Sequence, residues 1–155
     1  MKILVVSDSH GRVGNLLEAV ELELPDQVLF LGDVVRDVED LTALDPTLTV
    51  CTVAGNCDGW SGGAEEREFT LCGVKCYLTH GHLHHAKSGL WGLLREGKRR
   101  GVDAVFYGHT HVPCVRQEDG IWLINPGTVG GVHNKATYAV VELEGGTLSA
   151  EIKEL

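Results

Sequence analysis

Three apolar runs near the start of the chain, residues 3–6, 28–31 and 48–53, alternate with two segments whose apolar residues fall at helical spacing. The first such segment, residues 13–24, carries Leu16, Leu17, Val20 and Leu24, and the second covers residues 37–44. This alternation constrains the fold more than any other feature. Two consecutive strands joined through a helix pair in parallel, with a right-handed crossover. A βαβαβ start on a parallel sheet is therefore expected, closed by a glycine-rich loop through Gly63.

The texture then changes. Residues 67–71 and 74–79 are separated only by Cys72 and Gly73, a spacing that suits a hairpin. Residues 88–100 read as a helix whose apolar face is Leu90, Trp91, Leu93 and Leu94, with Lys98, Arg99 and Arg100 at the end that favours cations. Further strands are expected at 104–107, 112–116, 121–124, 137–143 and 147–152. A parallel first half and an antiparallel second half imply two mixed sheets covered by helices on their outer faces. With 155 residues and 43% hydrophobic content, the chain suits one domain spanning 1–155.

Thirteen basic against 22 acidic residues leave a formal charge of −9, which argues against broad binding to nucleic acid or to an anionic membrane. No apolar stretch approaches the roughly 20 residues of a membrane span. The opening MKILVVSDSH begins a strand at once rather than a secretion signal. These two readings favour a cytoplasmic setting, and five cysteines without a CxxC pair suggest reduced thiols. Exposed edge strands and the surface around Trp91 leave room for a homodimer.

Each loop that follows an expected strand offers a metal-ligating side chain: DSHG at 8–11, GD at 32–33, GNCD at 55–58, THGH at 79–82 and GHTH at 108–111. Strand ends of an open α/β sheet converge on one crevice, so these five segments can build one site. Asp8, His10, Asp33, Asn56, His80, His109 and His111 are seven candidates, more than one ion needs, which suggests two ions sharing a bridging group. Asp33, the lone carboxylate after the second strand, is the natural bridge. Carboxylate, amide and imidazole donors suit manganese first, and also nickel, zinc, iron or cobalt. Two divalent ions, Asp8, Asp33 and a bridging hydroxide sum to about +1, a local positive charge on an otherwise acidic protein.

Taken in this order, the five loops resemble the calcineurin-like metallophosphoesterase superfamily, whose pattern is D-x-H, G-D, G-N-[H/C]-[D/E], a lone His and G-H-x-H. The short chain, the DSHG and GNCD variants and NPGT at 125–128 resemble its small bacterial and archaeal phosphodiesterases. The resemblance implies a four-layer αββα sandwich. It also implies that Asp8, His10 and His111 hold one metal, that Asn56, His80 and His109 hold the other, and that Asp33 bridges them. The expected reaction is hydrolysis of a phosphoric ester by the bridging hydroxide, with Asn56, Cys57 and His82 as substrate contacts.

Several of these residues also have plainer readings. Asp8 or Ser9 suits a helix cap, Gly32-Asp33 a turn, and Asp58 either a local turn acceptor or an acceptor that orients His10 and His109. Asn125-Pro126-Gly127 is a turn whose place in the family pattern suggests that it orients a histidine. His84 and His85 read as exposed loop residues, and His133 is given no role. GLLREGK at 92–98 resembles a phosphate loop, but Arg99 stands where Ser or Thr belongs and the segment is helical.

Cys57 departs from the family members that carry histidine there. A thiol is a weaker acid and donor than imidazolium, so slow turnover and a preference for diesters or good leaving groups are expected. The competing readings are a phosphomonoesterase and a non-catalytic protein-binding scaffold of the same fold, as in the retromer subunit of the superfamily.

Overall fold

The computed structural model describes residues 1–59 and 63–155, so the glycine-rich loop expected through Gly63 lies partly outside the described residues. The expected start is present as β1 (Lys2–Val6), α1 (Val13–Glu23), β2 (Gln27–Phe30), α2 (Arg36–Leu44) and β3 (Val50–Thr52). The three strands are parallel, and Val6, Phe30 and Thr52 lie in register. Their C-terminal ends finish level, so the loops bearing Asp8, Asp33 and Asn56 leave the sheet on the same edge.

The hairpin over Cys72-Gly73 forms from β4 (Glu66–Leu71) and β5 (Val74–Thr79). β6 (Ala104–Phe106), β7 (Cys114–Glu118) and β8 (Ile121–Asn125) complete a second sheet ordered β4-β5-β6-β8-β7. The expectation of an antiparallel second half is corrected here, because β5, β6 and β8 are parallel. The connection between β5 and β6 contains α3 (Trp91–Arg100), and a crossover through a helix delivers the next strand in the same direction. The last hairpin, β9 (Thr137–Glu144) and β10 (Thr147–Glu154), returns to the first sheet, where β9 lies antiparallel to β1.

Two boundaries also shift. The helix expected over 88–100 starts only at Trp91, because Gly89 at φ +140° separates it from a short 3₁₀ turn at Ala86–Ser88. The strand expected from 112 starts at Cys114, after Pro113, which has no N–H to donate to a ladder.

Alternation along β1 explains the layers. Ile3 and Val5 join Leu29, Leu78, Phe106 and Val141 between the two sheets, while Leu4 and Val6 face Leu16, Ala19 and Leu41 of α1 and α2. A third apolar cluster packs Leu93 and Leu94 of α3 on Tyr77, Val105 and Leu123. The result is the four-layer αββα sandwich. Trp91 of the expected apolar face lies at the surface: it is 70% exposed, with the Arg95 guanidinium 5.0 Å from its ring.

The C-terminal end of α1 is tied to the first sheet by a buried carboxylate. Glu23 accepts from the Tyr138 hydroxyl (2.9 Å) and from the ammonium of Lys153 (3.0 Å), and it pairs with Lys2 at 2.7 Å. Burial opposes its charge, but Lys2, Lys153 and Tyr138 outweigh burial and hold the carboxyl down at about 2. A depressed carboxyl stabilises the fold above its unfolded pKa, and that contribution is lost as pH falls through the folded value. Glu23→Gln should therefore lower unfolding free energy at pH 7 by on the order of 2 kcal/mol. In urea titrations the gap between variant and wild type should close between about pH 4.5 and pH 2.

Candidate metal centre

Five of the seven expected ligands, Asp8, His10, Asp33, His109 and His111, have left-handed backbones, with φ between +45° and +65°. Asp and His tolerate this region better than most residues, and each case marks a sharp turn where a strand gives way to a loop. Val34, at φ +74°, tolerates it poorly because it is β-branched. It is held there because Asp58 accepts from the amides on both sides, Asp33 N at 3.0 Å and Val35 N at 2.7 Å.

Close approach explains two motif glycines. A side chain at Gly108 would run into the hydroxyl of Ser7 and come within 2.9 Å of Asp8 Oδ2. A side chain at Gly55 would run into the Asp33 carboxylate.

These turns bring the ligand atoms together in two groups that share Asp8. In one, Asp8 Oδ1 lies 3.0 Å from His111 Nε2 and 3.9 Å from His10 Nε2, and the two imidazole nitrogens are 3.4 Å apart. In the other, His80 Nε2 lies 3.4 Å from Asp33 Oδ1 and 3.9 Å from Asp8 Oδ1. His109 stands beside this second group, its ring centroid 5.1 Å from that of His80.

The hydrogen bonds show that these atoms fit a cation. His80 donates from Nδ1 to the Leu31 carbonyl at 2.6 Å, which leaves Nε2 directed at two carboxylates. A histidine whose other nitrogen is held by a backbone carbonyl is the usual arrangement for a metal ligand. Asp8 Oδ1 and His80 Nε2 are both buried without a hydrogen-bond partner. Buried acceptors facing one another repel unless a positive charge lies between them.

The electrostatics agree. Burial opposes charge on Asp33, but His80 and the Cys57 N–H, 2.9 Å from Oδ1, hold its carboxyl well below the usual range. Burial likewise opposes a proton on His80, yet Asp33 and Asp8 outweigh it and raise its affinity for one. The same carboxylate field favours a metal cation. Burial, then the neighbouring His80 and Lys87, push His109 down to about 4, so its imidazole is neutral and free to ligate at pH 7.

Buried polar residues hold the loops. Asp58 also accepts from Gly55 N at 2.6 Å, so it clamps the second and third loops through their backbones; it does not orient the rings of His10 and His109. Asn125 likewise steadies a backbone rather than a ring, donating to Gly108 O (2.9 Å) and Thr110 Oγ1 (3.0 Å) and accepting from Gly127 N. Two supports were not visible in the sequence. Asp37, on the first turn of α2, accepts from Ser9 Oγ (2.6 Å) and Gly11 N (2.8 Å), on either side of His10. Ser7 donates to Asp8 Oδ2 at 2.6 Å. The only sequence signal for Asp37 is an acidic residue near a helix start, and such residues usually serve the helix itself.

The remaining expected residues lie at the margin. Asn56 is exposed, with its amide nitrogen 3.5 Å from the Cys57 sulfur. Partial burial and Asp33 push the Cys57 thiol up to about 11. The His82 ring lies tilted against His80 and edge-on to His109, and its Nδ1 is buried without a hydrogen-bond partner. His84 is not the free loop residue expected. It is half-buried and lies 2.7 Å from the Tyr77 hydroxyl and 2.9 Å from Glu66.

Comparison with known proteins gives the same picture. A probable metallophosphoesterase of Bacillus subtilis, YsnB, is 31% identical over 149 residues, covering 93% of this chain and 85% of its own. Phosphodiesterase MJ0936 of Methanocaldococcus jannaschii is 28% identical over 158 residues, covering 84% and 86%. The crystal structure of a predicted phosphoesterase of Streptococcus pneumoniae superposes with a TM-score of 0.83 at 27% identity, covering 99% of this chain and 88% of the other. Zinc-bound Vps29 of Entamoeba histolytica shares the fold, with a TM-score of 0.79 at 21% identity over 99% of both chains. Residues 1–146 match the calcineurin-like phosphoesterase superfamily domain, and the chain belongs to this superfamily.

Proposed function

We propose that this protein is a metal-dependent phosphodiesterase with a dinuclear centre, formed by residues 1–155 as one domain. The observation that carries this reading is the pair of ligand groups sharing Asp8, with Asp8 Oδ1 and His80 Nε2 buried and unpartnered. In this reading Asp8, His10 and His111 hold one divalent ion, and His80, His109 and Asn56 hold the other. Asp33 would bridge the two in this reading; its 3.4 Å approach to His80 ties it to the second group, while Asp8 is common to both groups.

Manganese is the proposed metal, although the donors also suit nickel, zinc, iron and cobalt. When bound, such ions supply water acidic enough to ionise near neutral pH and positive charge facing the phosphoryl oxygens.

The chain's own residues bind and orient the ester. The Asn56 amide donates to a phosphoryl oxygen, which stabilises the charge that grows there. His82, whose affinity for a proton is lowered by burial and then by His80, offers a ring nitrogen to the substrate. Cys57 stays a neutral thiol at physiological pH and gives the departing oxygen only a weak hydrogen bond. Slow turnover follows, with a preference for esters whose alcohol leaves without help. The name of the relative MJ0936 supports diesters over monoesters, and five free cysteines support a cytoplasmic setting.

The direct test is hydrolysis of an aryl phosphodiester, measured after chelation and again after adding manganese or nickel. Activity should vanish and return; a protein that binds metal yet cleaves neither the diester nor the matching monoester would instead be a binding module. His109→Ala and His111→Ala should each lower the metal content from about two ions per chain to about one, by elemental analysis. Each should cost more activity than the roughly 10–100-fold typical of losing an outer partner. Cys57→His should speed cleavage of esters with poor leaving groups by about tenfold or more, within reach of the roughly 10²–10⁴-fold that a positioned proton donor contributes. An unchanged rate with full metal content would refute the role given to the thiol.

A further inference from the structure

The His82 ring stands at the candidate metal centre without a hydrogen bond of its own. Its centroid lies 5.5 Å from that of His80 and 6.1 Å from that of His109, yet its Nδ1 is buried without a partner. Its Nε2 is 4.0 Å from the exposed Glu65 carboxylate, beyond hydrogen-bond reach. The place of this ring therefore depends on the backbone that carries it, a 3₁₀ turn at His82–His84. Such a turn is a weak hold by itself. Left-handed residues flank it, Gly81 at φ +104° and His85 at φ +54°, and its amide bonds are long, 3.2 Å from His84 N to Gly81 O and 3.3 Å from His85 N to His82 O.

A side-chain network outside the ligand set anchors the far end of the turn. The Tyr77 hydroxyl donates to Glu66 Oε1 at 2.6 Å, and His84 Nε2 lies 2.7 Å from that hydroxyl and 2.9 Å from Glu66 Oε1. Because the hydroxyl proton goes to Glu66, the proton between His84 and Tyr77 belongs to His84 Nε2. Tyr77 is fully buried in β5 and Glu66 opens β4, so both anchor points belong to the second sheet. Arg100, at the end of α3, completes the network: it donates to Glu66 Oε2 at 2.9 Å and to Glu96 at 2.8 Å, with its guanidinium 4.3 Å from the centre of the Tyr77 ring. The same helix backs the turn directly, since a side chain at Gly92 would run into the His84 carbonyl oxygen.

Two observations separate this network from ordinary core bonding. Glu66 alone satisfies the buried Tyr77 hydroxyl, so the bonds to His84 are not needed for that purpose. Among the described residues, His84 is also the only member of segment 82–88 whose side chain makes a hydrogen bond. We infer that His84, held by Tyr77 and Glu66, is a positioning residue: it fixes the turn so that the His82 ring stays beside His80 and His109, and it acts on substrate only through His82. The inference rests on the phosphoesterase reading and adds to it what places His82.

The test is a double-substitution cycle on the manganese-reconstituted protein with bis(p-nitrophenyl) phosphate. His84→Ala should lower kcat/KM by about tenfold or more, as displacement of a substrate-contacting group does, with the metal content of the wild type. In a His82→Ala background the same substitution should change kcat/KM by less than about twofold, because two residues that act as one unit are not additive. His84→Gln, whose amide nitrogen can reach the same two oxygens, should stay within about threefold of wild type. Tyr77→Phe removes one of the two anchors and should fall between wild type and His84→Ala.

A second readout needs no turnover. In the zinc-loaded protein a nuclear Overhauser contact between the His82 and His80 rings should be present in wild type and His84→Gln and lost in His84→Ala. It decides the positioning even where the wild type hydrolyses no diester, a result that would count against the phosphoesterase reading alone. Equal losses from His84→Ala with and without the His82 imidazole, loss of metal ions in His84→Ala, or an unchanged His82–His80 contact in that variant would overturn the inference.

Discussion

A carboxylate with no exposed surface organises the active end of the molecule. Asp8 follows β1 in the first sheet, and its Oδ2 accepts from the Ser7 hydroxyl and from the backbone of His109, which follows β6 in the second sheet. One side chain thereby joins the loops of both sheets. Its other oxygen faces His10, His80 and His111 without a hydrogen bond. An uncompensated buried carboxylate costs several kcal/mol, so this arrangement makes physical sense as half of a cation site.

Holding that site demands unusual backbone. Left-handed turns at five candidate ligands and at Val34 each carry a cost, of order 1–3 kcal/mol where the residue tolerates them poorly. They persist because buried polar groups outside the ligand set fix the surrounding amides. Asp58 clamps the loops after β2 and β3, Asp37 flanks His10, and Asn125 and Thr128 brace the Gly108 and Asp8 backbones. The sandwich beneath supplies rigidity, and these bonds pass it to the ligands. Because Vps29 shares the sandwich, the architecture by itself does not decide the chemistry; the side chains at the strand ends do.

Much of this was legible in the chain. Apolar runs and helical spacing located nearly every element, because burial of one face imposes a period that reads directly from sequence. The five loops supplied the candidate ligands, and five of the seven, Asp8, His10, Asp33, His80 and His111, cluster because strand ends of α/β sheets converge. What escaped was long-range. That β5, β6 and β8 run parallel, and that the last hairpin joins the first sheet, depend on which edges are free once helices occupy the faces. Asp37 looked like a helix-start residue, because nothing local reveals that Ser9 and Gly11 will reach it from another loop.

Local chemistry in the sequence thus determined the donor types, their order and their attachment to strand ends, since those follow from residue identity and short-range periodicity. Tertiary structure alone decided that Asp8 serves both ligand groups and that His80 presents Nε2 by giving Nδ1 to Leu31. Distances and unsatisfied atoms are properties of segments packed against one another from far along the chain, and no window of sequence contains them.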